Sequence, residues 1–176
     1  MTTLERSELP PQETDWSAEV AHRVLPPVVV GLRLTMGWIF VWAGFDKLIR
    51  GFSAEGFLVH ATKGPLSGMF QNIAENTTAL TAIEQLVIWG EILIGIALIF
   101  GVLTRFAAFW GATMMLLFYV AQLPPEHNPF MEYYLIYALV LAALGALGAG
   151  RIMGFDALIG RHPLVRRVPG AAFLLG

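Results

Sequence analysis

Cysteine is absent from this chain. That excludes disulfides, thiol redox chemistry and thiolate-held metal within the polypeptide. Charge is scarce: Asp, Glu, Lys and Arg make up 14% of the 176 residues, against 56% hydrophobic residues. A soluble domain carries about a quarter charged residues, and the mean hydropathy of +0.65 points instead to a membrane protein. The net charge of −2 lacks the basic footprint that a nucleic-acid partner requires. The opening MTTLERSELPPQETDWSAEV lacks the basic start and short apolar core of a cleavable signal peptide. The first apolar stretch is therefore expected to act as its own insertion signal. His22, His60, His127 and His162 are scattered and match no metal-ligand spacing. No phosphate loop occurs. Gly148-Ala149-Gly150 follows a helical pattern rather than a strand, so it is no dinucleotide fingerprint.

What is present is four long apolar stretches, at about 28–49, 84–103, 106–122 and 130–149. Each has about 17–22 residues, enough for a hydrocarbon core about 30 Å thick. The expected fold is an all-α integral membrane four-helix bundle. Residues 1–27 form a cytoplasmic N-terminal segment, disordered to about residue 15. A short surface helix then carries Trp16, Val20 and Val24 on one face and ends at Pro26-Pro27. Residues 28–150 form the membrane domain, and 151–176 a basic cytoplasmic tail that lies along the bilayer. The connection 50–83 is too polar to span but too apolar for a plain linker. Two short interfacial helices are expected there, at 53–61 and 65–75, broken at Gly64. Asn76-Thr77-Thr78 matches a glycosylation sequon, a match frequent by chance.

Arg105 lies between the second and third spans, and Arg151, Arg161, Arg166 and Arg167 follow the fourth; the third-to-fourth connection has no Lys or Arg. This bias predicts that both termini are cytoplasmic. Lys47, Arg50 and Lys63 then face outside, with Asp46, Glu55 and Glu75 near them.

The second stretch, EQLVIWGEILIGIALIFGVL, carries Glu91 inside its apolar run. A carboxylate there needs a partner or a water-filled cavity, and so marks a functional site by default. The competing reading is a buried pair that only pins helices together. Lys47 is the expected partner, at a depth differing by roughly 5–8 Å along the helices. Glu91 and Lys47 are the candidate catalytic pair; His127, Glu132 and Tyr133 are candidates for holding a substrate or quinone headgroup. Arg33, Arg105 and Asp156 are expected to form a structural polar network at the opposite face. Gly37 and Gly44, one heptad apart, offer a flat patch to a neighbouring helix, and Trp38 with Trp42 reads as packing. Carboxylate, Lys, Tyr and His groups among aromatics suit a polar headgroup whose tail lies in lipid. They equally suit a proton or small-solute path.

Three stretches resemble the DoxX/DoxD family. LRLTMGWIFVWAGFDKL resembles its first helix, with Arg33, spaced glycines and Lys47. WGEILIGIALIFGVLTRFAA resembles its second, with Glu91 and the Thr-Arg turn at Arg105. HNPFMEYYLIYALVLAALGALGAGRIMGFDALI resembles its closing helix, glycine-rich turn and Asp156. The resemblance spans about residues 28–160. It implies a four-helix protein of the prokaryotic cytoplasmic membrane, and in its DoxD branch the membrane subunit of thiosulfate:quinone oxidoreductase. The implied cofactor is quinone, with nothing bound covalently. The implied partners are membrane lipids, a second redox subunit and further copies of the chain. Many DoxX-like proteins have no established activity, so an enzyme, a non-catalytic scaffold or assembly partner, and a small transporter or proton path all stay open.

Overall fold

A computed structural model describes residues 16–61, 67–123, 131–163, 165 and 170–176. The described residues are overwhelmingly helical, and four apolar helices dominate: α1 (Leu25–Arg50), α2 (Thr77–Phe100), α3 (Thr104–Ala121) and α4 (Tyr133–Ala146). The first three are long and apolar enough to cross a membrane. At 1.5 Å per residue α4 reaches about 21 Å, short of a full hydrocarbon core.

Pro26-Pro27 does not end a helix, contrary to expectation; it opens one. The prolines occupy the first turn of α1, where a missing N–H costs no intrahelical bond. A helical segment with a π turn at Val20–Val24 leads directly into it. Similarly, α2 begins at Thr77 rather than near Glu84. The Asn76 side chain accepts a hydrogen bond from Ala79 N at 3.1 Å and caps the helix. The sequon-like triplet is thus a helix start. Of the two short helices expected in the 50–83 connection, one is a π-helical turn at Phe57–Ala61 and the other a helix at Ser67–Glu75. Gly64 lies outside the described residues, as do residues 1–15, Lys63, Arg166 and Arg167.

Each long helix buries one stripe. On α1 it is Val29, Arg33, Met36, Gly37, Phe40 and Gly44; on α2 it is Val87, Ile88, Glu91, Ile94, Gly95 and Leu98. The spacing of three, four and seven is that of a single helical face. The outward faces carry Trp38, Trp42, Leu86, Leu93, Phe109 and Leu139, all well exposed. That is the arrangement of helices whose outer surface meets lipid rather than water. Trp38 and Trp42 stack with centroids 6.1 Å apart on this outer surface.

Helices α1 and α2 form the closest pair, α3 and α4 the second, and α2 packs against α3 between them. The shared core is Phe40, Ile94, Leu98, Met115, Leu141 and Leu144. Contact between α1 and α2 is nearly backbone to backbone. A Cβ on Gly95 would sit 2.5 Å from Val41 N and 2.6 Å from Gly37 O, and one on Gly44 would sit 2.9 Å from Ile88 O. Gly37 and Gly44 therefore face the partner helix, as the heptad spacing predicts, and Gly95 meets Gly37.

At the far end of α2, Gly101 takes a left-handed conformation (φ 66°) and its N–H turns back to Ala97 O and Leu98 O. This stop reverses the chain into α3 within three residues.

The seam makes a test. Gly95→Ala must push two backbones apart, an overpacking cost of about 1–3 kcal/mol that outweighs the helix-propensity gain of at most about 1 kcal/mol. In detergent the unfolding midpoint should fall, at about 2–4 °C per kcal/mol for a chain of this size. Gly31 has open space around it, so Gly31→Ala should leave the midpoint unchanged or raise it. Equal behaviour of the two variants would refute backbone contact at Gly95.

Candidate functional site

Close approach of α1 and α2 brings two charges together. Lys47 Nζ donates to both Glu91 oxygens, at 2.9 Å to Oε1 and 2.7 Å to Oε2, and also lies 3.4 Å from Ala43 O. The Glu91 side chain is 4% exposed and that of Lys47 23%. Neighbouring charges do not compete for Lys47, because Asp46 is taken by Arg50 at 2.7 Å on the helix surface. The pair satisfies its own hydrogen-bonding needs, which is the condition for keeping charge in an apolar interior.

A cavity of about 280 Å³ opens beside the pair. Ile39, Phe40, Ala43 and Lys47 of α1 line one side, Glu91 the floor, and Met115 and Phe118 of α3 another side. Tyr133, Tyr134 and Tyr137 of α4 form the third wall, while Phe52 and Phe57 come from the connection after α1. The rings touch in series. Centroid distances are 6.1 Å for Phe57–Phe118, 5.6 Å for Phe118–Tyr134, 4.0 Å for Tyr133–Tyr134 and 5.9 Å for Tyr133–Tyr137. Lys47 Nζ lies 5.6 Å from the Phe52 ring centroid, within cation–π range. The connection is held over the cavity by Glu84, whose Oε1 accepts from Ala54 N at 2.9 Å. The cavity is thus aromatic in body and polar at its floor. That combination suits a flat ring bearing hydrogen-bonding oxygens.

The residues that build the floor and two walls fall inside a stretch with a recognisable family pattern. A family model described as DoxX matches residues 28–123, more than half of the chain. The chain belongs to the DoxX family. No curated protein and no solved structure matches it. Membership and the apolar helices together make it a membrane protein. The DoxX match covers Lys47, Phe52, Phe57, Glu91, Met115 and Phe118, whereas the three tyrosines and the closing stretch that carries Asp156 lie beyond it.

Of the headgroup candidates, Tyr133 lines the DoxX cavity. Glu132 stands just before α4 without capping it and is not among the lining side chains. His127 lies outside the described residues. Sequence reasoning passed over Tyr137 and Phe118 as cavity walls. Tyr137 is one turn along α4 from Tyr133, a spacing that would have found it.

At the opposite end of the helices Arg33 and Asp156 act through the backbone. The Arg33 guanidinium is buried and donates to Ala149 O (2.7 Å), Ile152 O (3.0 Å) and Met153 O (3.3 Å). Asp156 Oδ1 accepts from Leu103 N at 2.7 Å, and Oδ2 from Thr104 N and Gly176 N at 2.9 Å each. Helix α3 has no side-chain cap of its own, so Asp156 caps it from 52 residues away. Phe155 N and Asp156 N donate to Phe100 O and Gly101 O, closing the end of α2. Arg105 does not join this network; its Nε donates to Gly145 O at 3.1 Å.

The pair at the cavity floor should behave as a unit. Glu91→Leu or Lys47→Met alone strands a charge in an apolar site and should cost about 3–5 kcal/mol. The double variant should recover most of that loss, because two apolar side chains replace both charges. Yield and unfolding midpoint in mild detergent would read this cycle. Additive losses in the double variant would mean that the two charges do not depend on each other.

Proposed function

We propose that this DoxX protein is the membrane subunit of a quinone-linked redox system and that its aromatic cavity holds a quinone headgroup. The observation that carries this reading is the juxtaposition of the Lys47–Glu91 ion pair with a cavity walled by aromatic side chains. A quinone ring stacks on aromatic faces, and its carbonyl oxygens accept from Lys47 Nζ or a tyrosine hydroxyl. Reduction adds two electrons and two protons. In this reading Glu91, Lys47 and the tyrosines orient the ring and relay the protons. The electrons come from a second redox subunit that oxidises a small donor such as thiosulfate. The chain sits in a prokaryotic cytoplasmic membrane as a four-span bundle, with α4 as the shortest span and both termini on the cytoplasmic side.

The other reading is a non-catalytic scaffold. It is favoured by the self-sufficiency of the pair, in which both Glu91 oxygens are already occupied by Lys47.

Ala43→Leu separates the two readings, because it fills cavity space without removing either charge. Protein extracted in mild detergent should carry quinone as isolated, and Ala43→Leu should abolish that while leaving the unfolding midpoint within about 1 kcal/mol of wild type by the volume argument. Thiosulfate-dependent quinone reduction in membranes should fall in parallel. Wild-type protein free of quinone, with quinone reduction indifferent to Ala43→Leu, would defeat the redox reading and leave the scaffold.

A further inference from the structure

A second concavity lies at the other end of the helices, away from Glu91. It is a groove of about 750 Å³ between α3 and α4, closed at one end by the segment Ala171–Leu174. Its walls are apolar, with Phe109 and Trp110 on α3 and Leu141 and Ala142 on α4. Phe173 reaches over it and is 74% exposed. One charged side chain lines it, Arg105. Arg105 is anchored by its Nε on Gly145 O, and its guanidinium stands 6.0 Å from the Phe173 ring centroid. Among the described residues no carboxylate pairs with Arg105, and its two terminal nitrogens have no acceptor. The cation is therefore fixed in place with its outward donors unused.

The surroundings tell which ligand would complete it. From Tyr133 to the last residue the sequence carries Arg151, Arg161, Arg166 and Arg167 but one acid, Asp156. Asp156 is 1% exposed and spent on three backbone N–H groups. Among the described residues after α4, the exposed charged side chains are Arg151 and Arg161. The groove runs from Arg105 to Ala112 along α3, about 10 Å down from the helix start. Below Arg105 it is lined by aliphatic and aromatic side chains and carries no charge. A free anion would satisfy the arginine but leave the apolar groove empty. An acyl chain alone would fill the groove but leave the arginine unanswered. A molecule with an anionic head and an apolar tail answers both.

We propose that this groove is a binding site for an anionic phospholipid, its phosphate on the Arg105 guanidinium and an acyl chain lying against Trp110, Leu141 and Ala142. Phe173 covers the chain, so the site couples the C-terminal segment to the lipid it contacts. The assignment is independent of the quinone reading, because the two cavities share no lining residue.

Native mass spectrometry of the full chain, delipidated and then offered equal amounts of phosphatidylglycerol and phosphatidylcholine with identical acyl chains, tests the site. Wild type should retain phosphatidylglycerol over phosphatidylcholine by about five-fold, the factor one arginine beside an anionic headgroup supplies. Arg105→Gln should abolish the preference while keeping weak retention of both lipids. Ala142→Phe should reduce retention of both, because it blocks the groove and leaves Arg105 intact. Should Arg105→Gln fail to fold through loss of the Gly145 bond, raised salt on wild type replaces it and should erode the preference by screening. Equal retention of the two lipids by wild type, or undiminished phosphatidylglycerol retention in Ala142→Phe, would overturn the proposal.

Discussion

Everything at the Glu91 end depends on a carboxylate being kept charged inside an apolar helix pair. A lone carboxylate there would cost several kcal/mol, and a counter-charge at contact distance is the remedy that keeps it ionised. Lys47 can supply it only if α1 and α2 lie close enough for its ammonium to reach Glu91. The glycines make that approach feasible. Gly37, Gly44 and Gly95 let the two backbones touch, and the 2.7 Å ion pair forms further along the same seam. The pair in turn fixes the register of the helices. A slide of one turn, about 5.4 Å, would strand both charges. Packing and electrostatics therefore specify the same alignment, which is the mutual consistency expected of a sequence that encodes one structure.

The opposite end solves a different problem with the same kinds of residue. Helix ends leave backbone groups without partners, and in a chain this apolar there is little water to satisfy them. Arg33 collects three carbonyls from the turns after α4, and Asp156 collects three N–H groups, two of them at the start of α3. These charges are not paired with each other by direct contact; each is held by backbone, although the buried Arg33 Nε has no acceptor. Gly101 and Gly154 lie against Arg33, and Gly150 against Asp156, so glycine again makes room. Here the room is for a charged head rather than for a helix.

How far the sequence could be read follows the range of the interactions. Glu91 stood out because it interrupts an apolar run, and Lys47 because it ends one at comparable depth; both signals are local. The Gly37–Gly44 spacing predicted a helix contact by the same logic. Helix α2 starts about two turns before the apolar run that predicts it. The polar Asn76-Thr77-Thr78 cluster reads as loop by composition, whereas the Asn76 cap and the residues after it extend the helix. A proline pair both ends and begins helices, so Pro26-Pro27 predicts a stop where the structure has a start. The cavity walls were only partly legible. Phe52 and Phe57 were visible as apolar residues in a polar connection. That they fold back over Glu91 depends on Glu84 gripping Ala54 N, a contact across 30 positions. The cap that Asp156 places on α3 is harder still, since nothing near Asp156 in sequence advertises an unsatisfied helix start 52 residues earlier.

The contrast between the two ends bears on what the Lys47–Glu91 pair is for. A pair whose only task is to hold helices in register needs no space around it, and protein interiors are closely packed. Around Arg33 and Asp156 backbone and glycine close in, and the groove at that end of the molecule is lined by Arg105 instead. At the Glu91 end four separate segments contribute Phe, Tyr and Met side chains that enclose about 280 Å³ beside the pair. The Phe57–Phe118–Tyr134–Tyr133–Tyr137 series borders it through three T-shaped contacts and one tilted contact, Tyr133–Tyr134. The polar floor of that space is the one place in the cavity where a ligand oxygen could find a charged donor, the Lys47 ammonium.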